Sequence, residues 1–136
     1  MGFQLKDDLL DAFADPDVFG KQTGGDILAN KKTFLLIKAL ERAGGKNKTN
    51  LKYWLEAKRF RKAEKVNAVK EIYENLGIPS ITEKKINSYF RRGFRLLDSV
   101  SGREEAKEVL SSYTPALIAR TPCSITLFPE RQLMCN

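Results

Sequence analysis

Five aspartates fall within the first seventeen residues: Asp7, Asp8, Asp11, Asp15 and Asp17. A glycine- and lysine-bearing stretch follows directly, Gly20-Lys21-Gln22-Thr23-Gly24-Gly25-Asp26, and then Asn30-Lys31-Lys32-Thr33. Dense negative charge beside dense positive charge suits metal ions that bridge to a polyanion. If Phe3 to Asp11 is helical, Asp7 and Asp11 stand at i and i+4, and Asp8 and Asp11 at i and i+3. All three then project from one side of the helix. Like charges at that spacing cost roughly 0.2–0.5 kcal/mol per pair unless a counter-charge offsets them. Mg2+ is the fitting counter-charge, because it prefers carboxylate oxygens and shares its shell with waters and substrate phosphates. The competing reading is an acidic, solvated helix face near a helix start, where the dipole favours it.

Two other readings of the same stretch fail on residue type. An EF-hand loop begun at Asp15 would have Phe19 at its fifth position and Asp26 at its twelfth, where Ca2+ needs an oxygen ligand and a bidentate Glu. A Walker A loop begun at Gly25 has Asn30 in place of its second Gly, and Lys32 in place of the Ser or Thr after Lys31.

The elements that must carry these residues are helices. Phe3–Phe13 reads as the helix bearing the aspartates, with Pro16 marking its end. Residues 15–30 read as a loop, opened by Asp15-Pro16 and loosened by Gly20, Gly24 and Gly25. Lys31–Ala43 is a second helix with an apolar stripe of Phe34, Leu36, Ile37, Leu40 and Ala43, stopped by Gly44-Gly45. Asn50 caps a helix over Leu51–Arg61, and Ala63, Val66, Val69, Ile72, Tyr73 and Leu76 give the stripe of the next, ended by Gly77 and Pro79. Ser80-x-x-Glu83 and Ser101-x-x-Glu104 read as capping boxes opening two more helices. Ile86, Phe90, Phe94 and Leu97 share one face, and these aromatics, with Trp54, read as core. Pro115, Pro122 and Pro129 break any further helix, and Ser124–Phe128 has strand character.

The expected class is therefore all-α. At 136 residues, with 42% hydrophobic and 30% charged residues, the chain can bury a real core and is not of disordered composition. The absence of histidine and the presence of only two cysteines, Cys123 and Cys135, exclude histidine acid–base catalysis and zinc chemistry. Two free thiols, no signal peptide and no apolar run near the roughly 20 residues of a membrane span point to a cytoplasmic protein with no membrane span. Met1-Gly2 is not a myristoylation signal, since position 6 is Lys6. A net charge of +7 admits an anionic partner. The basic run of Lys52, Lys58, Arg59, Arg61, Lys62 and Lys65, however, reads as solvated helix faces, and no nucleic-acid partner is expected.

Taken in order and spacing, Gly2, Phe3-Gln4, Asp7-Asp8-x-x-Asp11, Asp15-Pro16, Val18-Phe19-Gly20-Lys21, Gly25-Asp26-Ile27 and Asn30-Lys31-Lys32-Thr33 resemble the trans-isoprenyl diphosphate synthases. They match that family's second aspartate-rich motif and its downstream lysine segment. The resemblance is close from Gly2 to about Leu40 and compatible to about Arg120. It implies the C-terminal helices of an isoprenoid-synthase-type bundle, with residues 1–120 as the C-terminal portion of a polyprenyl synthetase domain. Residues 121–136 depart from the family pattern and are expected to be a divergent, loosely ordered tail.

The resemblance further implies condensation of an allylic diphosphate with isopentenyl diphosphate, with Mg2+ as cofactor and a homodimer as the full-length form. Asp7, Asp8 and Asp11 would hold Mg2+, with Asp7 coordinating directly. Lys21 would touch the diphosphate, and Lys31 would do so or form a structural ion pair instead. Gln4 would turn its amide oxygen toward the allylic cation or pack in the helix interface, and Asp26 would order the loop. The family's first DDxxD motif, basic pair and Gly-Lys-Arg segment do not occur in these residues, so the chain is expected to be inactive alone. The alternatives are a non-catalytic basic helical module, or a truncated partner subunit of a full-length synthase.

Overall fold

The computed structural model describes residues 1–15 and 23–118. Among them there are helices and no strand: α1 (Gly2–Phe13), α2 (Gly25–Leu28), α3 (Phe34–Arg42), α4 (Gly45–Glu56), α5 (Lys62–Asn75), α6 (Ile78–Ser99) and α7 (Glu104–Ile118). The all-α expectation holds. The strand-like segment 124–128 and the tail 121–136 lie outside the described residues.

α1 is the centre of the arrangement. It packs most extensively on α6 and also touches α2, α3 and α5. Leu9 and Ala12 of α1, Leu35, Leu36 and Ala39 of α3, Val69, Ile72 and Tyr73 of α5, and Ile78 and Ile86 of α6 form one continuous core, which Leu51 of α4 joins. Each fully buried leucine contributes about 1.5–3 kcal/mol of transfer free energy. Phe3 meets Phe90 edge-on, with ring centroids 5.1 Å apart, so the start of α1 is seated on α6 as well.

Local sequence explains most boundaries. Thr33 caps α3, its Oγ1 accepting from the Leu36 N–H at 3.3 Å. Gly77, at φ +68, makes the left-handed turn between α5 and α6, and Pro79 sits in the first turn of α6, where no N–H is needed.

Several expectations are corrected. Both capping boxes fail: α6 opens at Ile78, so Ser80 is already inside it, and α7 opens at Glu104 rather than just after Ser101. α4 begins at Gly45, which places Asn50 mid-helix rather than at a cap. The buried face of α3 is Leu35, Leu36 and Ala39, while Ile37 and Leu40 are exposed. α7 runs on past Pro115 to Ile118. Lys65, read as part of a solvated run, is only 1% exposed.

Candidate functional site

The aspartates lie along α1 in a graded arc. Asp7 is exposed, Asp11 half-buried and Asp8 buried. This follows from 3.6 residues per turn: Asp11 falls between the other two around the helix, and the helix is half sunk into the core. Gln4, one turn earlier, is exposed.

The segment after the loop folds back onto this arc. The Gly24 N–H donates to the Asp11 carbonyl at 2.6 Å, and the Asp26 N–H donates to Asp11 Oδ2 at 2.9 Å. Asp11 therefore holds the returning chain with both backbone and side chain. Gly24 is required here twice over. Its φ is +86, and an added Cβ would lie 2.7 Å from Val66 Cγ2.

Lys31 completes the cluster. Its ammonium lies 2.7 Å from Asp26 Oδ2 and 3.3 Å from Asp8 Oδ1. Hydrogen bonds to Asp26 and then to Asp8 raise the Lys31 pKa above its ordinary value, so it stays charged. Burial pushes the Asp8 carboxyl above the ordinary carboxylate range, and the Lys31 contact only partly offsets this. Beneath them Tyr73 is buried and neutral, its pKa raised by desolvation and by the charge of Asp26. Asp26 thus ties the segment to Asp11 and Lys31 through hydrogen bonds.

The structure brings Asp8, Asp11, Asp26 and Lys31 together. Asp7 and Gln4 stand on the exposed side of the same helix. Lys21 lies outside the described residues. Among those residues no three acidic or cysteine side chains converge closely enough to hold a metal ion. The donor set still suits Mg2+, because that ion takes one or two protein carboxylates and completes its shell with water and phosphate. Asp7, exposed, and Asp11, one turn on, offer oxygens of the right kind. The set does not suit a metal caged wholly by protein.

Sequence reading missed Asn30 and Lys65. Asn30 is at φ +50, the one non-glycine with positive φ among the described residues. Its Oδ1 accepts from Lys65 Nζ at 2.7 Å, and its Nδ2 donates to the Leu55 carbonyl at 3.0 Å. The signal for Lys65 was its register: it falls on the same helical stripe as Val69, Ile72 and Tyr73, so a charged residue stood where a core residue belongs.

This geometry can be set beside known proteins. Over 79 residues the chain is 43% identical to human farnesyl pyrophosphate synthase, covering 58% of this chain and 18% of that protein. Over 102 residues it is 37% identical to the chicken enzyme of the same name, covering 74% of this chain and 26% of that protein. The chain thus spans about a quarter or less of these curated relatives. A crystal structure of a geranylgeranyl pyrophosphate synthase superposes with a TM-score of 0.77 at 36% identity, covering 89% of this chain and 38% of that one. A putative geranylgeranyl pyrophosphate synthase from Corynebacterium glutamicum superposes at 0.73 with 29% identity, over 85% of this chain and 35% of that one. The helices described here are therefore those of an isoprenyl synthase bundle. No described helix is long and apolar enough to cross a membrane. The polyprenyl synthetase family model matches residues 1–76, the stretch that holds α1, its aspartates, Asp26 and Lys31, and the chain belongs to that family.

Proposed function

We propose that this chain supplies the metal-and-diphosphate side of a prenyltransferase that joins an allylic diphosphate to isopentenyl diphosphate. In that reaction the allylic C–O bond breaks and diphosphate leaves. The allylic carbon then bonds to the terminal alkene carbon of isopentenyl diphosphate, and a proton is lost. The observation that carries this reading is the pairing of Asp11 and Lys31 through Asp26, on the helix whose exposed side also carries Asp7. Carboxylates and an ammonium side by side suit a metal–diphosphate, in which each group meets its opposite charge.

Asp7 and Asp11 would hold Mg2+, and Asp8 would join them once Lys31 is drawn away from it. When bound, Mg2+ supplies neutralisation of the charge that develops on the leaving diphosphate. Lys31, about half exposed, would turn its ammonium toward the diphosphate, and Lys21 would do so from the preceding loop. Such preorganised charges act on the leaving group more strongly than the same charges in water. Gln4 would present its amide oxygen to the allylic cation from the exposed side of α1. The Lys31–Asp8 contact supports Lys31 as a counter-ion that stands where the metal's charge would later act.

The family's first aspartate-rich motif, which the reaction needs on the opposite side of the metals, does not occur in these 136 residues. Turnover by this chain alone is therefore expected to fall below detection, since losing one preorganised contact costs about 10²–10³ in rate. The test is transfer of radiolabelled isopentenyl diphosphate onto an allylic primer with Mg2+, first by the chain alone and then after mixing with the N-terminal half of a related synthase. Product only in the mixture is the expected result. No product in a mixture shown by gel filtration to have formed a complex would count against the reading.

A further inference from the structure

Lys65 is a costly residue to bury. It is 1% exposed, and its ammonium is held by one hydrogen bond, 2.7 Å to Asn30 Oδ1, and by the face of Phe60, whose ring centroid is 4.4 Å away. An apolar side chain on that stripe of α5 would pack without the desolvation cost. What the lysine secures is Asn30. The orientation of the Asn30 amide follows from its partners: Lys65 can only donate and the Leu55 carbonyl can only accept, so Oδ1 must face Lys65 and Nδ2 must face Leu55. Asn30 is thereby clamped between α4 and α5 in a left-handed conformation that costs a non-glycine residue free energy. The next residue is Lys31, whose own N–H donates to the Asp26 carbonyl at 3.0 Å. The direction in which Lys31 leaves the backbone, toward Asp8 and Asp26, is set by that turn.

We infer that Lys65 is a positioning residue, acting through Asn30 to aim Lys31 at the anion-binding end of α1. This rests on the reading that Lys31 binds the substrate's diphosphate. The ammonium of Lys65 bonds to Asn30 and lies over Phe60. Its effect passes through one amide and one strained backbone turn, as partners behind a binding residue usually act.

The test is calorimetric affinity of the 136-residue chain for inorganic pyrophosphate with Mg2+, measured for Lys65→Met, Asn30→Gly, Lys31→Met and the double variant Lys65→Met/Lys31→Met. Asn30→Gly keeps the positive φ and removes both side-chain bonds, so it is independent of how Lys65→Met packs. Melting temperature is recorded for each. The expected result is a weakening of about tenfold for Lys65→Met and Asn30→Gly, with melting temperatures close to the parent's. In the Lys31→Met background, Lys65→Met should have no further effect. If Lys31→Met alone leaves the affinity unchanged, the diphosphate role of Lys31 fails and the inference falls with it. If Lys31→Met weakens binding while Lys65→Met and Asn30→Gly do not, the inference alone is overturned. Equal losses from Lys65→Met in both backgrounds also overturn it, because they would mark a purely structural role.

Discussion

The backbone N–H of Asp26 donates to Asp11 Oδ2 at 2.9 Å, joining residues fifteen apart in the chain. One oxygen of an aspartate expected to hold metal is thus engaged in fixing the segment that carries Lys31. Charge and hydrogen bonding at Asp11 can be separated by substitution. Asp11→Asn keeps an acceptor for Asp26 and loses the charge, whereas Asp11→Ala loses both. In urea unfolding, Asp11→Ala should cost about 1–2 kcal/mol and Asp11→Asn much less. Both should weaken Mg2+-dependent pyrophosphate binding. Equal stability losses from the two would mean that the bond does not anchor the segment.

Gly24 gives a sharper test of the same anchor. A side chain there meets both a left-handed backbone and Val66 at 2.7 Å. Gly24→Ala should destabilise by about 1–3 kcal/mol. Paired with Val66→Ala, which opens the space, it should recover part of the loss and leave the backbone term. Circular dichroism melts of the single and double variants check this.

Lys6 is 4% exposed, and its Nζ has no hydrogen-bond partner among the described residues. Burial lowers its pKa, with Asp7 acting weakly the other way. A depressed lysine pKa means that the folded state pays to keep the charge below the unfolded pKa of about 10.4 and not above it. Lys6→Met should therefore stabilise by about 1–3 kcal/mol at neutral pH. The gain should shrink as pH rises toward that value. A gain independent of pH would show that packing, not charge, is responsible.

Much of this fold could be read from the sequence, for reasons visible in single elements. α5 was placed almost residue for residue, because Val69, Ile72 and Tyr73 form one apolar arc against an otherwise polar helix. The expected stripe of α3 holds at Leu36, which is buried, and at Ala43, which packs on the core, but fails at Ile37 and Leu40, which are exposed. Its residues offer two apolar arcs, Phe34-Ile37-Leu40 and Leu35-Leu36-Ala39, and periodicity cannot choose between them. Only packing against α1 and α6 does. α4 was misplaced because Gly44-Gly45 reads as a stop, whereas Gly44 caps the next helix. At the candidate site, the spacing of Asp7, Asp8 and Asp11 along one helix was legible in the sequence, and Lys31 entered through the family resemblance. The Asn30–Lys65 pair was not, because it joins residues thirty-five apart through a turn whose sign no local pattern announces.

Glu83 on α6 gives a further pH-dependent prediction. Burial on α6 raises its carboxyl pKa above the ordinary range. A carboxylate with a raised folded pKa favours folding while protonated. That contribution is present below the unfolded pKa and is lost as pH rises through the folded one. Glu83→Gln should raise the melting temperature at about pH 7 and change it little near pH 4. A larger effect at the lower pH would reverse the sign and contradict the burial argument.

The aspartate-bearing side of α1 is proposed to bind diphosphate through Mg2+. The most direct measurement is isothermal titration of the 136-residue chain with inorganic pyrophosphate, with and without Mg2+, for the parent and for Asp7→Ala, the exposed aspartate that takes no part in the Asp8–Lys31 or Asp11–Asp26 contacts. The expected result is saturable heat only with Mg2+, strongly weakened in Asp7→Ala at an unchanged melting temperature. Equal heat with and without Mg2+, or undiminished binding by a folded Asp7→Ala, would contradict it.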